Sequence, residues 1–469
     1  MNLDEQISNW NKLDTKIQYT GKTITLPSDP ENMPIQAAIN TLERKLDEEN
    51  TTVLIHEIIN AYPHDAAVAF VKAMVKIYGW TSSVPTPGWW GNSPPIFISV
   101  KTGKGHGDVM QCPIGSFRLP NVEDLITTSI TKINKNDPKL YFTIRAEVRQ
   151  KFRHILVELA TECRRIVQEE SIYRGKAILL NVDEEGHLNM NVPPDFMDTS
   201  AVGEENLIFN ADIQAQIETN ILVPIKKQKE CAIHNIPMKR GILLEGPYGT
   251  GKSLTAAMVA RVCEQNNVTF ILLNRVQGLR TALELAVRFG HSVVFSEDID
   301  LIAQDRDNKT NDLILVIDGV VSKNSPVMTI LTTNHVEKLN PVILRPGRLD
   351  AIISIREPDK ETVQKLIRHY AGKLIDDDSD LSRSGKEMAG QIPATIRECV
   401  ERAKLGMIGR GAETLTDHDL SIAALTMKNH LALINRKSNK KSQADILAKS
   451  LHSVVHGNGH DDEEESANI

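Results

Sequence analysis

No uninterrupted apolar stretch in these 469 residues approaches the roughly 20 that a membrane-spanning helix needs. The N-terminus, Met-Asn-Leu-Asp-Glu, lacks the basic and apolar blocks of a secretory signal. Both absences point to the cytoplasm and to no membrane partner. Cysteine is scarce. Cys112, Cys163, Cys231, Cys263 and Cys399 are odd in number, scattered and without C-x-x-C spacing, which argues against a disulfide framework or a zinc site and for reduced core thiols. Nor is there an excess of basic charge. A net charge of −7, with no recognisable nucleic-acid module, speaks against a DNA- or RNA-directed function.

What is present is ordinary for a soluble globular protein: 41% hydrophobic and 25% charged residues, with length for roughly two to four domains. The informative stretch is Gly246-Pro247-Tyr248-Gly249-Thr250-Gly251-Lys252-Ser253, which fits G-x-x-x-x-G-K-[ST] without a mismatch. It lies between an apolar run, Gly241-Ile-Leu-Leu, and a helical pattern, the setting of a phosphate-binding loop. A triphosphate needs several backbone N–H groups converging on its oxygens, and glycines let the chain wrap that tightly. Lys252 supplies a mobile cation for the β- and γ-phosphates. The Ser253 hydroxyl suits Mg²⁺, and the helix that follows points its positive end at the same oxygens.

From about 206 to 356, short apolar runs alternate with helical patterns. Strands are predicted at Ile242–Leu244, Val268–Leu273, Val293–Phe295 and Val327–Thr332, and helices at Ser253–Gln265, Leu279–Phe289 and Asn311–Val321. Such alternation predicts an α/β fold, a mostly parallel sheet with helices on both faces and the ligand outside the carboxyl ends of the strands. From 357 to 435 only helical patterns remain (Lys360–Gly372, Ile396–Leu405, Asp417–Leu433), which predicts a small all-helical domain. Residues 436–469, with Lys437, Lys440, Lys441 and an acidic run from Asp461, are expected to be a disordered charged tail.

Residues 1–205 are expected to form an α+β region that recognises a substrate or partner. Helices are predicted over Pro34–Glu48, Thr52–Asn60, Asp65–Tyr78 and Arg145–Glu169, with strands and loops over Thr81–Tyr141. The Trp89-Trp90 pair is expected to be packed loop aromatics rather than an exposed surface, and His154 an ordinary histidine. His456 and His460, separated by Gly-Asn-Gly, share no helix face.

Downstream of the loop, Val293-Val-Phe-Ser-Glu-Asp-Ile-Asp300 ends an apolar strand in three carboxylates. Burying that much negative charge at a strand end makes sense only beside a cation. Ile330-Leu-Thr-Thr-Asn-His335 ends another strand in polar residues, with Asn334 placed for the γ-phosphate or a water. Asn340-Pro-Val-Ile-Leu-Arg-Pro-Gly-Arg-Leu-Asp350 then carries Arg345 and Arg348 on a Pro-Gly turn, and a guanidinium fork suits developing phosphoryl charge.

In order and spacing these four segments resemble the AAA ATPases over roughly residues 206–435. The resemblance implies a P-loop NTPase sheet with a helical lid, ATP and Mg²⁺ as ligands, and a homo-oligomeric ring, hexameric or heptameric, with ATP at subunit boundaries. By matching position, Lys252 and Ser253 would hold phosphate and Mg²⁺. Glu297 would be the metal-holding acid, Asp298 the water-polarising one and Asn334 the first sensor. Arg345 and Arg348 would be fingers reaching the neighbouring site, His369 an adenine contact, and Ala394 the second-sensor alanine. Most family members order the acids Asp-Glu. The reversed Glu297-Asp298 and Thr-Thr-Asn-His are similar to the mitochondrial subgroup that translocates the Rieske iron-sulfur protein, although no membrane anchor is seen here. Unfoldases carry an aromatic-hydrophobic-Gly loop after the second strand of the sheet. Here Asn274-Arg-Val-Gln-Gly278 passes at once into a helix, and no aromatic occurs from Ile271 to Arg288.

The expected function is therefore an ATP-hydrolysing ring that remodels or translocates a protein substrate. The alternatives are a nucleotide-gated assembly protein with little hydrolysis and, less favoured, a DNA-directed motor.

Overall fold

A computed structural model describes residues 16–19, 22–25 and 35–430, apart from 80–81, 90, 121, 123, 134–139, 184–185, 187–191, 201, 302–325, 346–347 and 377. The helix expected at 311–321, the charged tail, Trp90, His456 and His460 lie outside the described residues. The chain divides into two bodies, residues 1–176 with 188–196, and residues 177–187 with 197–469.

The first body is α+β. Strands β1 (Thr52–Ile59), β2 (Ser83–Val84), β3 (Ser116–Arg118), β4 (Leu125–Thr131) and β5 (Tyr141–Arg149) form an antiparallel sheet in the order β1-β5-β4-β3-β2. Helices α1 (Pro63–Tyr78) and α2 (Arg153–Glu170) pack on each other and on the sheet. Phe70 of α1 meets Phe117 and Phe142 with ring centroids 4.9 and 5.7 Å apart, close enough to add to their burial.

Two secondary-structure expectations fail in this body. Thr52–Asn60 is a strand, not a helix, and the helix expected from Arg145 begins at Arg153, because residues up to Arg149 belong to β5. The pairing of Thr52 with Arg149 through Ile59 with Phe142 uses the alternate burial of Phe142, Ile144, Ala146 and Val148, and that tertiary contact outweighs helix-forming Arg and Glu. Trp89, expected to be packed, is 93% exposed. His154 is an exposed residue of α2. Cys112, Cys163, Cys263 and Cys399 are buried, as expected of core thiols, whereas Cys231 is half-buried; burial pushes the Cys163 thiol up to about 12.

Asp65, in the first turn of α1, is buried and accepts hydrogen bonds from the Ser171 hydroxyl (2.6 Å) and the Ile172 N–H (3.0 Å). Burial raises its carboxyl to about 6, against the pull of those two bonds and of Lys72. A folded-state value raised above the unfolded one means that the fold holds the proton more tightly. Stability is therefore highest below the ordinary carboxyl range and falls as pH rises toward about 6. Asp65→Asn, which keeps both partners without the charge, is expected to melt like the parent at pH ~4 but to be the more stable protein at pH ~8, by on the order of 2–3 kcal/mol. Equal melting temperatures at pH 8 would remove this account.

The second body is the predicted parallel sheet. Strands β6 (Ala177–Leu180), β7 (Arg240–Glu245), β8 (Thr269–Leu273), β9 (Ser292–Ser296), β10 (Val327–Thr333) and β11 (Ala351–Ser354) run parallel in the order β6-β8-β9-β10-β7-β11. Every residue of β9 and β10 is buried, as strands covered on both faces require. Helix α3 (Lys252–Gln265) and the helical stretch 211–226 share a core with Ile242, Leu244, Phe270, Phe295 and Ile330. Helix α4 (Leu279–Phe289) packs against β8 and β9.

Sequence reading placed residues 177–205 with the N-terminal region. Their apolar Ala-Ile-Leu-Leu run pairs instead with β8, which draws 177–187 into the sheet body. Strand β11 was also not anticipated. Helices α5 (Lys360–Ala371), α6 (Ser382–Met388), α7 (Pro393–Gly409) and residues 417–430 close a separate core around Leu366, Val400 and Leu420. This is the all-helical region expected after 357.

Candidate functional site

The loop 246–251 leaves the carboxyl end of β7 and enters α3 at Lys252. Gly246 has φ 152°, and a Cβ there would lie 2.3 Å from the Ile355 carbonyl oxygen. Only glycine fits. Gly249 has φ 78°, and a Cβ there would stand 2.8 Å from Ile392 Cδ1 and 3.6 Å from the Ala394 methyl. The fold thus sets Ala394, at the start of α7, directly on the loop.

Lys252 is 8% exposed. Its ammonium donates to the carbonyls of Gly246 (2.6 Å) and Pro247 (2.9 Å), and Thr250 Oγ1 donates to the same Pro247 oxygen. Burial pulls the ammonium below the ordinary lysine range, while Asp298, Asp300, Glu245 and Glu297 pull it back. A buried cation ringed by acids and resting on weak neutral acceptors is poised to exchange those carbonyls for phosphate oxygens.

Glu297 and Asp298 follow β9 directly. The exposed Glu297 carboxylate accepts from the Ser253 hydroxyl at 2.5 Å, so these two oxygen donors already share one spot. Asp298 is held at φ 53°, a left-handed conformation that Asp tolerates better than most residues and that still costs of order 1–3 kcal/mol. Its N–H donates to Thr332 Oγ1 (3.1 Å), and its carboxylate accepts from Asn334 Nδ2 (2.7 Å). Asn334 Oδ1, by contrast, is buried and has no hydrogen-bond partner among the described residues. Such an acceptor is costly to leave unsatisfied, and it lies on the amide that touches Asp298. His335, next along, bonds Glu337 through Nδ1 (3.0 Å) and meets the ring of Tyr248 at 6.4 Å.

Arg345 is exposed and Arg348 half-buried, its guanidinium donating to the Val342 carbonyl at 2.7 Å. Their loop is fixed to the opposite end of β7. Asp350 exchanges bonds with Gly241 (2.7 and 2.8 Å), and a Cβ on Gly241 would collide with the Arg348 carbonyl oxygen at 2.2 Å. The five residue steps from Gly241 to Gly246 span about 17 Å of strand. The arginines are therefore not gathered at their own chain's loop.

His369 is exposed on α5, with Nε2 3.4 Å from Asn206 Nδ2. On the loop itself, Phe209 would touch a Cβ on Gly251 at 3.3 Å. Asn206 and Phe209 were not singled out from sequence, and neither were Thr332, Thr333 and Asp350. The hydroxyl-rich end of β10 was the available signal for the threonines. Nothing in the spelling of 203–210 marks that segment.

The unanticipated strand β6 bears on the missing loop after β8. Asn274 accepts from the Val182 N–H (2.9 Å) and donates to its carbonyl (3.4 Å), and the Gln277 carbonyl lies where a Cβ on Gly186 would be. This connection is tied down through the Asn274 side chain and the Val182 backbone.

Comparison with known sequences places this geometry. Residues 242–357 match the family described as ATPase family associated with various cellular activities (AAA). The chain is 32% identical over 235 residues to the ATP-dependent zinc metalloprotease FtsH of Slackia heliotrinireducens, covering 45% of this chain and 29% of that protein. It is 28% identical over 282 residues to the proteasome-activating nucleotidase of Methanococcus vannielii, covering 55% and 64%. FtsH 2 of Sorangium cellulosum is 28% identical over 240 residues, covering 47% and 39%. In each case the match spans less than two thirds of the relative's own length. Among the described residues no helix is long and apolar enough to cross a membrane.

Proposed function

From the premise that residues 242–357 form an AAA ATPase domain, we propose that this chain binds and hydrolyses Mg-ATP, works as a homo-oligomeric ring, and spends the energy on remodelling or moving a protein substrate. The observation that carries the reading is the pairing of Asp298 with Asn334, whose buried Oδ1 has no partner among the described residues. An acceptor left open beside a carboxylate is what an attacking water needs, one group to orient it and one to take its proton.

The chemistry follows from the residues. Lys252 moves from the carbonyls of Gly246 and Pro247 to the phosphates, helped by loop N–H groups and the start of α3. Water attacks the γ-phosphorus in line with the leaving oxygen. Asn334 Oδ1 accepts one of its hydrogens, and Asp298 receives the other as the bond forms. Asp298 is one methylene shorter than the usual Glu, about 1.5 Å less reach. Its left-handed backbone and the Asn334 bond compensate by fixing its direction. The Ser253 hydroxyl and Glu297 carboxylate are hard oxygen donors already in contact, which suits Mg²⁺. Among the described residues no cluster of three or more His, Cys, Asp or Glu could hold a metal by itself, so the remaining ligands fall to nucleotide and water, as is usual for this ion. Bound there, Mg²⁺ neutralises charge on the phosphate oxygens. Arg345 and Arg348, held at the far end of β7, serve the site of an adjoining copy, and His369, Asn206 and Ala394 border the nucleoside side.

A protein substrate is favoured by the relatives, one named for activating a proteasome and others for ATP-dependent proteolysis. The tied-down connection at Asn274 argues against threading by aromatic paddles. In this, and in the Glu-Asp order with Thr-Thr-Asn-His, the chain resembles the Rieske-protein translocase subgroup. The cytoplasm remains the proposed setting. Phosphate release from purified protein, with Asp298→Asn as control, tests the reading. Turnover in the parent with tight ATP retention but no release in Asp298→Asn is expected. Tight binding without turnover in the parent would instead favour the nucleotide-gated assembly reading.

A further inference from the structure

We infer that Asp300 is a positioning residue for hydrolysis, acting through Asn334, an inference that rests on the ATPase reading above. Asp300 is 4% exposed, and a carboxylate buried to that degree is costly unless its bonds hold something in place. It accepts from Thr333 Oγ1 at 2.8 Å and from the Asn334 N–H at 3.4 Å. The turn after β9 and the end of β10 are therefore joined at four points. Two bonds converge on Asp298, from its N–H to Thr332 and from Asn334 Nδ2 to its carboxylate. The other two converge on Asp300, from the Thr333 hydroxyl and from the Asn334 backbone N–H. One acid holds the side chain of Asn334 and the other holds the peptide from which it springs. Together they decide where the open Oδ1 points.

This division of labour explains why three carboxylates crowd one strand end. Glu297 meets the Ser253 hydroxyl, Asp298 meets the Asn334 amide, and the buried Asp300 meets the Thr333 hydroxyl and the Asn334 N–H. Without Asp300, Asn334 keeps only its Nδ2 anchor while its backbone loses one, and a misplacement of about 1 Å at such a group costs on the order of 10²-fold in rate.

A double-mutant cycle tests the inference, read as ATP affinity by calorimetry and kcat by phosphate release. Asp300→Ala is expected to leave ATP affinity within about 2-fold and to lower kcat by roughly 10- to 100-fold. In an Asn334→Ala background the same change should cost less than about 3-fold, because the group it positions is gone. Asp300→Asn, which keeps an acceptor oxygen, should recover most of the loss. Should Asp300→Ala fold poorly, Thr333→Val removes one of the two bonds with the acid in place and should show the same sub-additivity with Asn334→Ala. A full multiplicative loss in the Asn334→Ala background, or loss of ATP binding in Asp300→Asn, would overturn the positioning role. Unchanged turnover in Asn334→Ala alone would instead overturn the hydrolytic reading beneath it.

Discussion

Lys252→Ala is expected to bind ATP at least about 100-fold more weakly than the parent, the largest single effect at the binding step, because a charge-assisted contact to phosphate is lost and nothing replaces it. The environment explains the size. Four carboxylates, Asp298, Asp300, Glu245 and Glu297, raise the affinity of this amine for its proton while burial opposes them. Removing the ammonium leaves those acids facing a highly charged ligand with no compensating cation. The folded state should survive, since what Lys252 bonds here is two carbonyls of its own loop. Calorimetric titration beside a melting curve separates the outcomes. An unfolded variant says nothing of binding, and a folded variant that titrates like the parent would remove the loop from the argument.

Arg348→Ala should do the opposite, leaving ATP affinity near the parent's while turnover falls by roughly 10³ to 10⁵, the range where an arginine completes a phosphoryl-transfer site. The placement of its loop at the start of β7 makes this a claim about two copies of the chain. Mixing Lys252→Ala with Arg348→Ala protomers is the sharper experiment. Each is inactive alone, yet an interface pairing the intact loop of one with the intact arginine of the other should regain measurable phosphate release. No recovery at any ratio, in protein shown to assemble, would place the arginine's role within its own chain.

The loop and strand ends of the candidate site were legible in the sequence because the proposed chemistry leaves little freedom of spelling. Gly246 must avoid the Ile355 carbonyl, the acids must end a strand, and the amide of Asn334 must end the next one. Where the constraint is tertiary, the sequence was ambiguous. Thr-Val-Leu-Ile-His-Glu-Ile-Ile of β1 spaces its apolar residues in a way that fits either period. Its burial is irregular because it is the edge strand of its sheet. The Arg- and Glu-rich run through 145–149 suits a helix until Thr52–Ile59 is laid beside it. Strands β6 and β11 are four residues each, too short for periodicity to register, and one of them moves a domain boundary. Asp300 was visible as a third acid, but only the geometry shows that it turns inward toward Thr333.

The narrow gap at Gly249 has a mechanical consequence. With Ile392 Cδ1 2.8 Å from where a side chain would begin, the loop cannot swell without pushing the base of a 17-residue helix. That helix is about 25 Å long, so a tilt of roughly 5° at its root sweeps the tip by about 2 Å. The empty space of a missing methyl group is thus the point at which any displacement of the loop would be magnified along that helix.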